Sequence, residues 1–164
     1  MKARSNKKRV LYVCQAGIVA ALYTVLTCIV GALDLASGAI QFRVSEALCI
    51  LPVFFPAAIP GLTVGCLISN LITGSLWQDV VFGTLATLLG ALGAYLLRRA
   101  PFWLVPVPTV LANGLIVPPI LDYAYHIEGT LPLIALSVTL GELLSAGVLG
   151  SLLCFLLRRR RVFR

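Results

Sequence analysis

The chain has 164 residues, of which 60% are hydrophobic and only 12% charged, with a mean hydropathy of +1.01. A soluble domain of this length has no interior large enough for so much apolar surface, so the bilayer must act as the solvent. The formal net charge of +7 is clustered at 2–9, 98–99 and 158–164; in so apolar a chain these clusters read as cytoplasmic anchors under the positive-inside rule and exclude nucleic acid as a partner.

A basic N-terminal tail over 1–9 leads into an uncharged stretch over 10–33, long enough to cross the hydrocarbon core once. Its apolar length exceeds a signal-peptide core and further apolar segments follow, so it is expected to be a retained first helix. The next uncharged interval, 47–78, is too long for one span and too short for two ordinary ones. Pro52, Pro56, Pro60 and Gly61 punctuate it. Two helices fit only if the first starts near Gln41 and ends, short, near Phe55. A fourth span is predicted over 80–97 and a fifth over 100–121. The fifth is dense in proline (Pro101, Pro106, Pro108, Pro118, Pro119) and so is expected to be irregular at its ends and packed against protein. The sixth runs from about Leu131 to Leu157, followed by a basic tail over 158–164.

Together these elements predict an all-α integral membrane protein whose domain over 10–157 holds six transmembrane helices. An even number puts both termini on one side, and placing the N-terminus in the cytoplasm leaves only Arg43, among the Lys and Arg residues, outside or at the outer boundary. The external segments are then 34–39, the region 74–79, and 122–130.

Several activities have no sequence support. GxxxxGK[ST], HExxH and GxSxG are all absent, so ATP is not hydrolysed through a P-loop of this chain, and active transport would draw on an ion gradient or another subunit. The five cysteines are dispersed without a CxxC pair and with one histidine for company. They read as small buried hydrophobes with free thiols, and neither a metal nor a cofactor is implied.

Polar residues inside the apolar background are the candidate site. Glu142 stands near the middle of the last uncharged run, and a carboxylate at that depth is costly unless it faces a cavity or a partner. Arg43 and Glu46, three apart on a helix, can pair with each other or take part in a ligand site, with Gln41 as a mixed donor and acceptor beside them. Asn70 and Asn113 each fit an interhelical hydrogen bond as well as a ligand contact. Asp79 fits either a solvated carboxylate at a helix N-terminus or a binding group. Three carboxylates against one arginine suit a ligand that is cationic or rich in hydrogen donors. Phe42, Trp77, Phe82, Tyr123 and Tyr125 are available to stack on it, although Trp77 and Tyr125 fit an outer interfacial belt better. Small residues at helix-packing spacing occur as Ala16-x-x-x-Ala20, Gly61-x-x-x-Gly65 and Gly83-x-x-x-Thr87.

Four blocks, Ala20–Tyr23 (AALY), Gln41–Leu48 (QFRVSEAL), Asp79–Thr87 (DVVFGTLAT) and Gly141–Glu142, resemble the QueT family in order along nearly the whole chain. The block at 41–48 is the most specific. The resemblance implies a substrate-binding S component of an energy-coupling factor transporter, not an enzyme. It implies a six-helix S-component bundle, a deazaguanine-class queuosine precursor bound near the outer face, and a gating loop after the first helix. It also implies a membrane T subunit, docked through Ala16 and Ala20, and two cytoplasmic ATPases. The candidate substrate contacts are Gln41, Arg43, Glu46, Asn70, Asp79, Asn113 and Glu142. Glu46 or Glu142 would take a guanine-like edge, and Asp79 a cationic substituent. An S component for another vitamin-like molecule, an intramembrane enzyme using Glu142 and Asp79 as acid and base, and a membrane assembly protein are the alternative readings.

Overall fold

In a computed structural model, which describes residues 2–33, 43–125 and 130–160, every regular element is helical. Helix α1 covers Lys2–Ala32. At 1.5 Å per residue it is about 46 Å long, enough to cross a bilayer and project beyond it. It is followed by a 3-10 helix over Val44–Val53, then α2 (Ala58–Ile72), α3 (Trp77–Leu96) and α4 (Val107–Tyr125). The last helix is continuous from Leu131 to Arg160 and has three parts: α5 (Leu131–Glu142), a π-helical segment (Leu143–Gly150) and α6 (Ser151–Arg160).

Four helical stretches are long and apolar enough to cross a membrane: Asn6–Ala32, Trp77–Leu96, Val107–Ala124 and Leu131–Arg160. The 3-10 helix and α2 are shorter apolar helices, so the crowded interval before Asp79 does resolve into two segments. The 3-10 form matters here. It rises about 2.0 Å per residue where an α-helix rises 1.5 Å, so the same residues reach further through the bundle. This segment is also the most enclosed, with Ser45, Glu46, Ala47, Cys49, Ile50, Leu51 and Pro52 all buried. It is walled by α1, α3 and the π segment.

Two sequence expectations shift at the prolines. The fifth span begins at Val107, not at Ala100, because residues 102–106 form turns between Pro101 and Pro106. Pro118 and Pro119 lie within α4 and not at its end, with Pro118 fully buried, so neighbouring helices enclose the backbone that proline leaves unbonded.

Small residues set the helix spacing. A Cβ on Gly61 would lie 2.6 Å from the Ala16 carbonyl oxygen, and one on Gly65 would lie 2.9 Å from that of Ala20, so α1 and α2 touch backbone to backbone. Gly90 and Gly93 give α4 the same approach to α3, against Thr109 and Pro108. Helix α2 ends at Gly74, which adopts φ +70°; Ser75 N–H donates to Asn70 O (3.0 Å) and Gly74 N–H to Leu71 O (3.3 Å). This glycine-terminated cap turns the chain directly into α3.

The two ends of the bundle differ chemically. Arg158 donates to Ala100 O (2.9 Å) and Arg98 O (3.2 Å), tying the end of α6 to the turn between α3 and α4. The Tyr12 hydroxyl reaches toward Pro56 O at 3.5 Å, which places the turn before α2 at the same end. Lys7, Lys8 and Arg9, the exposed Arg99, and the exposed Arg159 and Arg160 therefore share one end. The apolar core, including Ile50, Leu62, Ala91, Ala94, Val105 and Cys154, fills the half next to it. A smaller cluster, Val117, Leu121, Ile134 and Val138, closes the opposite end between α4 and α5. Between the two lies a layer of buried polar side chains.

Candidate functional site

That layer is built from the inward faces of every helix. Tyr23 comes from α1, Glu46 and Cys49 from the 3-10 helix, Cys66 and Asn70 from α2, Asp79 and Thr87 from α3, Asn113 from α4, and Glu142 from the end of α5. All of them are buried. They occupy interior positions because their periodicity matches that of their apolar neighbours: Thr87 follows Val80 and Gly83 and precedes Ala91 and Ala94 on one face of α3.

Glu46 is completely buried, and three side chains satisfy it. Tyr23 Oη donates to Glu46 Oε1. Thr87 Oγ1 donates to the same oxygen at 3.2 Å, and Cys49 Sγ donates to Oε2 at 3.1 Å. A buried carboxylate with this many donors is held in one orientation, because losing any of them would strip solvation that water cannot replace. Cys66 joins the same network through Thr87, 3.3 Å away.

Arg43, three residues before Glu46, does not adopt the helical register that would pair it with that residue. It lies just outside the 3-10 helix with φ −109° and ψ 83°, and its guanidinium pairs with Asp79 Oδ2 at 3.7 Å. Asp79 is only 4% exposed, so it is a buried group and not a solvated helix-end carboxylate. Asn70 Nδ2 donates to the backbone oxygen of Asp79 at 3.3 Å, bridging α2 and α3. A Cβ on Gly83 would approach Asp79 Oδ1 to 3.0 Å and Asn70 Nδ2 to 3.3 Å, so the glycine leaves room for both. A cavity of about 120 Å³, lined by Tyr23, Thr27, Arg43, Ser45 and Asn70 among others, opens beside this pair.

Asn113 and Glu142 are different. Asn113 is fully buried and Glu142 is 2% exposed, yet Asn113 Oδ1, Asn113 Nδ2 and Glu142 Oε2 have no hydrogen-bond partner among the described residues. Asn113, Glu46 and Arg43 all lie near enough to bear on the Glu142 charge. Each buried polar atom without a partner costs about 1–3 kcal/mol, so the group is destabilising unless something else binds it. Thr109, one turn before Asn113 on the same face of α4, also has an unpartnered, fully buried hydroxyl.

The structure therefore brings Arg43, Glu46, Asn70, Asp79, Asn113 and Glu142 into one layer, while Gln41 and Phe42 lie outside the described residues. Trp77, Phe82 and Tyr123, considered as stacking groups, are instead 67%, 42% and 80% exposed and line a groove on the outer surface of α3 and α4. The side chain of Tyr125 is outside the described set. Ala16 and Ala20 lie under Gly61 and Gly65, with Ala20 buried and Ala16 half-buried. Sequence reasoning missed Tyr23, Thr87, Cys49 and Cys66 as polar partners of the site. For Tyr23 the available signal was its position seven residues after Ala16, on the face already set by the small residues.

The model of the QueT transporter family matches residues 13–159. The queuosine precursor transporter QueT of Lactococcus lactis subsp. cremoris is 40% identical over 95 residues, which cover 57% of this chain and 56% of that relative. The aligned stretch thus spans little more than half of the curated relative. No solved structure matches the chain. With its long apolar helices and a family match over almost its whole length, the chain is a multi-pass cell-membrane protein that belongs to the QueT transporter family.

Proposed function

We propose that the chain is the substrate-capture (S) subunit of an energy-coupling factor importer for a queuosine precursor of the deazaguanine class. The observation that carries this reading is the unpartnered pair Asn113 and Glu142, buried in the polar layer between the two apolar clusters. A buried carboxylate and amide with free hydrogen-bonding capacity suit a small, polar, hydrogen-donating ligand. The name of the Lactococcus relative supports the ligand class.

In this reading six segments cross the membrane, with the 3-10 helix and α2 as short spans, and both termini lie in the cytoplasm with the basic end. The polar layer then faces the outer side, where Arg43, Asn70 and Asp79 join Asn113 and Glu142 around the ligand. The chain has no P-loop, so two cytoplasmic ATPases supply the energy through a membrane T subunit. That subunit docks on α1 alongside Ala16 and Ala20. Their inner sides already pack on α2, while the neighbouring small residues Gly17 and Ala21 are exposed. The protein binds and delivers its substrate and does not transform it.

Titration calorimetry of the purified chain with 7-aminomethyl-7-deazaguanine and 7-cyano-7-deazaguanine tests the proposal. Saturable binding of at least one is expected. Flat heats for both would overturn it.

A further inference from the structure

The acidic residues of the polar layer are not equivalent. Glu46 takes donors on both oxygens, from Tyr23, Thr87 and Cys49, and all three come from the protein's own core. Asp79 is paired with Arg43. Glu142 keeps a buried oxygen with no partner among the described residues, and Asn113, the amide that faces the Glu142 carboxylate as a hydrogen-bonding neighbour, has no close partner for either polar atom among them. Their relative position is fixed by close helix contact, since a Cβ on Gly114 would lie 2.9 Å from Thr139 Oγ1, locking α4 to α5 next to both side chains. The helix changes from α to π geometry immediately after Glu142, and such segments recur at ligand sites.

From this placement we infer that Glu142 and Asn113 together read one hydrogen-bonding edge of the ligand, with the order donor, donor, acceptor, while Glu46 positions the helices and does not touch the ligand. The inference rests on the capture function proposed above and deepens it. A carboxylate accepts two adjacent N–H groups in parallel, as it does from a guanidinium fork. An amide beside it donates its N–H to a carbonyl oxygen. A ring amide flanked by an exocyclic amine on one side and a carbonyl on the other presents this order. An adenine-type edge does not, because it offers the carboxylate a single amine and offers Asn113 no carbonyl. Removing the 2-amino group leaves the carboxylate one donor short.

The test compares 7-deazaguanine with 7-deazahypoxanthine, which lacks only the 2-amino group, in calorimetry on the full chain. The wild type should bind 7-deazaguanine about 10- to 100-fold more tightly, the worth of one hydrogen bond to a charged acceptor. Glu142→Gln should reduce that preference to within about threefold, because its carboxamide turns a donor toward a donor. Asn113→Ala should weaken both ligands alike and keep the preference, since both carry the carbonyl it reads. Glu46→Gln should lower the melting temperature and keep the preference. Wild-type binding without a 2-amino preference would overturn the inference and leave the capture function standing, and this comparison holds even if a variant fails to fold. Loss of the preference in Glu46→Gln with retention in Glu142→Gln would also overturn it. Binding of neither probe, nor of the 7-substituted precursors, would instead remove the capture function itself.

Discussion

Replacing Tyr23 with Phe tests the structural role of Glu46 separately from the binding role proposed for Glu142. Phe keeps the ring that fills the space between α1 and the 3-10 helix and deletes only the hydroxyl that donates to Glu46 Oε1. Glu46 retains Thr87 at 3.2 Å and Cys49 at 3.1 Å, so its charge is not orphaned. The loss is therefore that of one charge-assisted hydrogen bond, about 1.5–3 kcal/mol, and not the roughly 3–5 kcal/mol that follows when a buried charge loses its sole partner. For a chain of this size 1 kcal/mol moves the melting temperature by about 2–4 °C, which gives an expected drop of roughly 3–12 °C. Thermal unfolding in detergent, followed by fluorescence, reads this directly. The preference for 7-deazaguanine over 7-deazahypoxanthine should stay as in the wild type. A melting temperature within about 1 °C of wild type would show that the Tyr23–Glu46 bond does not hold the bundle together, and the division of roles between Glu46 and Glu142 would lose its basis.

Two further predictions concern packing and orientation. Gly61→Ala drives a Cβ to 2.6 Å from Ala16 O and 2.9 Å from Val19 Cβ, so it should destabilise the protein by about 1–3 kcal/mol in thermal unfolding. Gly17→Ala, with nothing within 4 Å, should be neutral or gain up to about 1 kcal/mol from helix propensity. For orientation, Cys14 and Cys28 are replaced by Ser, while Cys49, Cys66 and Cys154 stay shielded in the core. In that background Thr130→Cys should react with a membrane-impermeant maleimide in intact cells, and Arg160→Cys only after permeabilisation; the reverse pattern would invert the topology.

Most of the helix plan was legible because apolar length and charge placement are strong local signals. The turn before α3 and the turn after it fell next to Asp79 and at Arg98, where charge interrupts apolar runs, and the short segment ending near Phe55 followed from the spacing of its prolines. The start of α4 was not legible. Proline is tolerated both in the first turn of a helix and in a preceding turn, so Pro101, Pro106 and Pro108 could not be ranked without knowing what packs on them. Pro108 turns out to lie inside the helix, against the backbone space left by Gly93. The Arg43 partner was hidden for a related reason. A rule about residues three apart holds only inside a helix, and Arg43 lies one residue outside it.

The acidic residues show where local rules stop. Glu46, with Arg43 three residues before it, looks the better supplied in sequence and Glu142 the isolated one, but the donors that satisfy Glu46 come from α1, α3 and its own 3-10 helix and not from Arg43. Each also adjoins a departure from α-helical geometry: Glu46 lies within the 3-10 segment and Glu142 directly precedes the π segment. Those two segments pack on each other, with Gly150 giving the close approach to Ile50 and Ala47. Helix propensity favours uninterrupted α geometry for so apolar a sequence, so irregular backbone at this depth has to be compensated by tertiary contact. The compensation is lopsided. Around Glu46 the protein supplies the donors itself, whereas around Glu142 a carboxylate oxygen and both polar atoms of the Asn113 amide have no partner among the described residues. The bundle thus satisfies one buried carboxylate fully and leaves hydrogen-bonding capacity at Glu142 and Asn113, and that capacity is what the proposed capture of a hydrogen-donating ligand would use.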